Sequence, residues 1–297
     1  MIKIPSDIFK EEYGTSSLGN QRKFCIDNKW YKIDEVGYEG FAETITSNIL
    51  KFSNVENFVL YEQESFSHNR KEYLGCVSEN FRPENCKILT VAQIFHAYND
   101  TSLAKLSDEK DLEKMIQIFI KQLSEITKLS EQSLGQYLTS IIELDALTLN
   151  CDRHFNNIAF LKMEDIFVPA PIFDNGESFL SSFSINDERD FDELIPLLSS
   201  KPFGYNFSEQ KEVMENLYGY QLSFRSFSEY DILPKKILYS DKVIDRVLDT
   251  LQFQRHRYPE LFETTLEYQL ARASDKCKNE KTKEITKERE RNSDLVR

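Results

Sequence analysis

The sequence predicts an α+β fold of two lobes, a small β-rich one followed by a larger helical one. Three features predict it. Up to residue 81, short apolar runs alternate with turn residues around a single helical pattern. From residue 82 to 275, apolar residues recur mostly at helical spacing. Within this helical stretch a single hairpin, residues 158–173, carries the polar residues Asp152, Asn157 and Asp174 around its ends. Residues 276–297 form a tail rich in Lys, Glu and Arg, read as a solvated helix extension or as disordered.

Residues 1–13 are mixed. Gly14 and Gly19 then flank a small-residue run that includes Ser16 and Ser17. A glycine-bearing turn can bring backbone N–H groups to phosphate oxygens, although no G-K-[ST] follows to make a Walker loop. Residues 24–26 read as a strand, Asp27 and Asn28 as a turn, and residues 30–33 as the returning strand. Lys32 lies near the end of that strand, and Lys29 competes with it. A single strand lysine is ordinarily solvated, so Lys32 gains meaning only with a partner. The helix over residues 38–52 supplies one: Phe41, Ile45, Ile49 and Phe52 share a stripe, and Glu43 falls off it, where it can face a cleft. Residues 57–62 and 72–78 read as two more strands with the polar run S-F-S-H-N-R-K between them. Ser78, Glu79 and Phe81 close the first lobe before R-P-E-N.

The second lobe begins with a short helix at 90–98. An amphipathic helix over 108–130 buries Leu112, Met115, Ile116, Phe119, Leu123 and Ile126. Another follows over 132–149, and Asp145 within it is either a surface residue or a partner of the loop beyond. That loop holds Asp152. A strand at 158–161, a turn at 163–165 and a strand at 167–173 make the hairpin, which ends at Asp174 and an Asn-Gly turn. A hairpin brings its ends together, so Asn157 and Asp174 should lie side by side with Asp152 just before them. Residues 201–206 form a turn. Helices are expected at 213–222, 241–254 and 258–273, the last with Pro259 in its first turn.

Taken singly, each of these polar residues is a cap or turn residue. Taken in order, they match what phosphoryl transfer needs: hard oxygen ligands for Mg²⁺ and a carboxylate to orient or deprotonate a hydroxyl. The run N-C-D-R-H-F-N-N-I-A-F-L at 150–161, followed by A-P-I-F-D-N-G at 170–176, resembles the HipA-like kinases. Within them it is most similar to the single-domain CtkA-type bacterial kinases. D-R-H-x-x-N also occurs in phosphatidylinositol kinases. No A-P-E signature closes the stretch after Asp174.

The resemblance implies a two-lobed protein-kinase-like fold with ATP and Mg²⁺ between the lobes. It implies that Asp152 is the base or hydroxyl-orienting group and that Asn157 and Asp174 hold the metal. Lys32 would sit on the ATP phosphates, oriented by Glu43. Gly14, Ser16, Ser17 and Gly19 would cover the phosphates, and the backbone at Ser78, Glu79 and Phe81 would meet the adenine edge. His154, the histidine after D-R, would lie at the nucleotide site and brace the loop, as Arg153 could through its fixed fork of donors. The resemblance further implies a protein serine or threonine acceptor and autophosphorylation at Ser16 or Ser17. It also implies a toxin or effector role. Few residues precede the glycine segment, so the chain is expected to lack the N-terminal subdomain of full-length HipA, whose place a small antitoxin or lid protein would take. The alternatives are a lipid kinase, and a nucleotide-binding pseudokinase or interaction module.

Composition narrows the partners. Of 297 residues, 40% are apolar and 12% aromatic, enough for a proper core. The net charge of −13 argues against a nucleic-acid surface and against docking through a broad field on anionic membrane. No leader-like apolar segment opens the sequence, and no run has the length of a membrane span. The five cysteines lack C-x-x-C spacing and read as reduced thiols. The four histidines show no metal-ligand spacing. These features give a cytoplasmic chain, with export as an effector the alternative.

Overall fold

The computed structural model describes residues 2–4, 21–98 and 109–262. Gly14, Ser16, Ser17, Gly19 and the tail lie outside the described residues.

The first lobe is a five-stranded sheet in the order β1-β4-β5-β3-β2. Its strands are β1 Ile2–Lys3, β2 Lys23–Ile26, β3 Lys29–Ile33, β4 Glu62–His68 and β5 Lys71–Glu79. Only β1 and β4 run parallel. Asp27 and Asn28 turn β2 into β3 with φ of 51° and 62°, the left-handed pair that a two-residue hairpin needs and that Asp and Asn tolerate. Asn69 and Arg70 do the same between β4 and β5, at 48° and 64°. The polar run expected to be a loop is therefore largely strand. Only Phe66 of β4 is buried, packed edge-on against Phe24 and Tyr31, so the apolar signal of that strand rests on one residue. Of the strand expected at 57–62, only Glu62 is in regular strand, as the first residue of β4. Phe58 instead makes an isolated parallel bridge with Ile172 of the second lobe.

Helix α1, Glu39–Leu50, is buried along its whole length. The sheet covers one side, and residues of the second lobe cover the other: Tyr239 packs on Phe41, and Asn48 donates to the Ile232 carbonyl. This double cover explains why the polar residues off its apolar stripe, Glu43 included, are also inside.

The second lobe is built on helices α2 Val91–Tyr98, α3 Leu112–Thr127, α4 Glu131–Thr148, α5 Phe191–Leu194, α6 Phe207–Tyr218, α7 Glu229–Ile232 and α8 Asp241–Arg257. Asp111 and Ser130 cap α3 and α4 through side-chain oxygens. Central α4 packs against α3, α6 and α8. A three-stranded sheet, β6 Lys87–Thr90, β7 Ala159–Met163 and β8 Ile166–Pro169, lies beside it. No pattern along the chain foretells β6. β8 stops at Pro169, short of residue 173, because Ile172 leaves to bridge Phe58. α6 starts six residues before the expected 213, since Asn206 and Glu209 form a capping box there. Pro259 opens only a 3-10 turn, Pro259–Leu261, and residues 263–273 of the expected helix lie outside the described residues. Among the described residues, no helix is long and apolar enough to cross a membrane.

Candidate functional site

The site begins where α4 ends. Leu149 takes the left-handed conformation at its C-terminus, and Asn150 turns back to bond Asp145 through both its backbone N–H and its Nδ2. Arg153 follows, fully buried. Its Nε and Nη2 donate to the Asp145 carboxylate, its Nη1 to the carbonyls of Asn157 (3.1 Å) and Phe173 (2.6 Å), and its Nη2 also to Asn175 Oδ1 (2.5 Å). One planar fork thus ties helix, loop and hairpin end together. Asp145 is this anchor and not a surface residue.

The loop so held presents Asp152 and Asn157. Asn157 donates Nδ2 to the Asp152 carbonyl at 2.9 Å, which turns its amide oxygen the other way. Lys201 Nζ lies 2.6 Å from Asp152 Oδ1, and His154 Nε2 lies 3.6 Å from Oδ2. Asp174 lies five residues beyond β8, at a φ of 62°. The next backbone N–H, of Asn175, donates to Glu43 Oε2 at 2.8 Å.

Lys32 joins the two lobes. Its Nζ lies 2.5 Å from Glu43 Oε1 and 2.6 Å from Asp174 Oδ1. Strand alternation puts Lys29 on the opposite face, where it pairs with exposed Glu79 at 3.0 Å. Lys23 of β2 stands directly across from Lys32 in the hairpin register and so shares its face.

Burial shapes the charges here. It pushes the Asp174 carboxyl up, yet Lys32 and then Lys23 overcome it and hold that group well below the usual carboxylate range. Glu43 is raised, because burial and nearby Asp174 outweigh Lys32. Burial pulls Lys32 down, but Asp174 and Glu43 more than restore its proton, leaving it well above the ordinary lysine range. Lys23 is lowered, chiefly by burial.

A cavity of about 460 Å³ opens among these groups, lined by Lys23, Asp152, Asn157, Asp174, Glu177 and Lys201. His154 does not line it, and its buried Nδ1 has no hydrogen-bond partner among the described residues. Ser78 and Glu79 also stand apart, paired with Trp30 and Lys29 across the sheet. Phe81 packs on Phe173 at 5.5 Å, in an apolar cluster with Val59, Tyr61 and Cys76. The Tyr61 ring lies 5.1 Å from Lys32 Nζ, so this cluster adjoins the charged site.

No known family model matches the sequence, and no curated protein matches it. Among solved structures, the Helicobacter pylori proinflammatory kinase CtkA superposes with a TM-score of 0.54 at 13% identity, over 83% of this chain and 90% of that one. The chain has the CtkA fold. This is the two-lobed, kinase-like fold expected from the sequence. A chain of the Shewanella oneidensis complex of HipA, HipB and operator DNA aligns at 14% identity over 87% of this chain and 68% of its own, with a TM-score of 0.48.

In this kinase fold, Asp174 and Asn157 fit a hard cation by their chemistry. One is a carboxylate held ionised, the other an amide oxygen turned away from its own hydrogen bond. Among the described residues, no group of three or more His, Cys, Asp or Glu side chains gathers to hold a metal alone. Sequence reasoning missed Lys23 and Lys201. Hairpin register could have found Lys23 once Lys32 was chosen. Lys201 lies 49 positions from Asp152 and leaves no local signal.

Proposed function

We propose that the chain is an ATP- and Mg²⁺-dependent phosphotransferase acting on serine or threonine hydroxyls of proteins. The supporting observation is Lys32, held between Glu43 of the small lobe and Asp174 of the large one, beside a cavity that Asp152 and Asn157 also line. In this reading Lys32 and Lys23 take the ATP phosphates and Glu43 keeps Lys32 pointed at them. The apolar cluster of Val59, Tyr61, Phe81 and Phe173 takes the adenine, next to the backbone of Ser78 and Glu79. Asn157 and Asp174 would hold Mg²⁺, which would offset the negative charge of the ATP phosphates. Asp152 accepts the hydroxyl proton. The acceptor oxygen bonds the γ-phosphorus as the bond from that phosphorus to the β,γ-bridging oxygen breaks, and ADP leaves with the electron pair. The transition state is loose, so the protein's role is mainly to position groups and offset charge. The protein acceptor, and self-modification at Ser16 or Ser17, extend this reading through the family resemblance.

Radiolabelled ATP with Mg²⁺, a protein extract and lipid vesicles would test it. Label should appear on protein serine or threonine and fall by about 10²–10⁴ in rate for Asp152→Asn, the scale of a general base. Label on lipid alone would favour a lipid kinase. Nucleotide binding with no label and no turnover would leave a binding module.

A further inference from the structure

We propose that Lys201 is a positioning residue for Asp152, delivered from a segment that packs on the Asp152 loop; the inference rests on the phosphotransferase reading above. The run D-R-H-F-N-N at 152–157 contains no lysine, so the ammonium beside Asp152 comes from elsewhere in the chain. Lys201 Nζ lies 2.6 Å from Asp152 Oδ1.

The segment bearing Lys201 is built into the fold. Ser200 is buried, and its carbonyl accepts from Gln210 Nε2 of α6 at 3.0 Å and from the Gly204 N–H at 3.1 Å. Gln210 is itself buried, and it also holds the Tyr205 carbonyl at 2.8 Å. Phe203 packs edge-on against Phe119 at 5.7 Å and against Phe155 at 6.1 Å. Phe155 stacks on Phe119 at 5.0 Å and lies three residues beyond Asp152. One aromatic cluster therefore fixes both the loop that carries Asp152 and the segment that carries Lys201.

Stability does not account for the contact. The two side chains are 44% and 32% exposed, and an ion pair that wet contributes little to folding. Its place accounts for it better: both residues line the cavity in which transfer would occur. Lys201 anchors Oδ1, so the acceptor would meet Oδ2, which has His154 Nε2 at 3.6 Å as its other neighbour. The part of Lys201 is to hold the carboxylate in place, while the acceptor proton moves to Asp152. A displaced base is costly, since a misplacement of about 1 Å can slow a reaction about 10²-fold.

The test uses Lys201→Met, Lys201→Arg, Asp152→Asn and the Lys201→Met/Asp152→Asn pair, each checked for an unchanged melting curve. Mg²⁺–ATP turnover is read as inorganic phosphate released to water and as label transferred to protein. Lys201→Met should lower kcat about 10²-fold with little change in the KM for ATP, and Lys201→Arg should restore most of it. In the Asp152→Asn background, adding Lys201→Met should cost nothing further, because its partner carboxylate is already gone. Wild-type kcat in Lys201→Met, a loss in KM alone, or losses that multiply in the double variant would each overturn the inference while the wild type still turns over. A wild type with no turnover would overturn the phosphotransferase reading itself, and this inference with it.

Discussion

Arg153 is the largest fully buried side chain in the described structure, and it is charged. A buried cation survives only where every donor has a partner. Here Asp145, two backbone carbonyls and Asn175 supply them. Arg153→Met would strand the Asp145 carboxylate in the core and should destabilise the protein by about 3–5 kcal/mol. Urea denaturation would measure this, and an unchanged midpoint would mean that the network relaxes around the loss. The two proposed metal ligands differ in charge, and their variants should differ accordingly. Asp174→Ala should weaken Mg²⁺–ATP binding more than Asn157→Ala, since a carboxylate holds a hard dication better than an amide oxygen does. Calorimetric titration would decide; equal losses would show that the two ligands were assigned wrongly.

Between elements, one contact carries a pH dependence. Asp34 sits between β3 and α1. Its Oδ1 accepts from the Gly40 N–H and its Oδ2 from the Tyr239 hydroxyl, each at 2.7 Å, so it ties α1 to the segment before α8. Burial raises its carboxyl to about 7, more than the Tyr239 bond lowers it. A carboxyl raised on folding favours the fold while protonated. That contribution is complete below the ordinary carboxylate range and is lost as pH rises through about 7. Asp34→Asn does not titrate; it can still accept from Gly40 and can donate to Tyr239. Melting temperatures from pH 5 to 8 should therefore shift in favour of the variant as pH rises. A constant difference across that range would show that Asp34 titrates outside it.

Across the whole molecule, the lobes meet through charge. Lys32 bonds Glu43 of its own lobe and Asp174 of the other, and all three are largely out of water. Lys32→Met leaves two carboxylates facing each other with no cation between them. Removing one partner of such a buried set costs about 3–5 kcal/mol. On the phosphotransferase reading proposed above, Mg²⁺–ATP should stabilise the wild type by about 2.7 kcal/mol at a hundredfold excess over Kd, and the same variant should lose the resulting rise in melting temperature. Scanning calorimetry with and without nucleotide measures both effects. A variant that melts lower yet keeps the full nucleotide shift would confine Lys32 to joining the lobes.

What is local in this protein was legible in its sequence. Asp27-Asn28 marks a turn because few other residues accept its left-handed backbone. The apolar stripes of α3 and α4 follow from helical periodicity. Asp152, Asn157 and Asp174 fall together because a short loop and a hairpin leave little freedom over that distance. The Lys32–Glu43 contact was within reach of the same reasoning, once Glu43 was seen to fall off the stripe of α1. The rest was settled by packing between elements. A stripe names one buried face of an element but not what covers the other faces, so the complete burial of α1 could not be read from it. A strand whose buried face rests on Phe66 alone carries almost no pattern. Arg153 reaching Asp145, Tyr239 reaching Asp34 and Lys201 reaching Asp152 each depend on how whole elements pack, and packing places side chains by the summed fit of many apolar contacts rather than by any spacing along the chain.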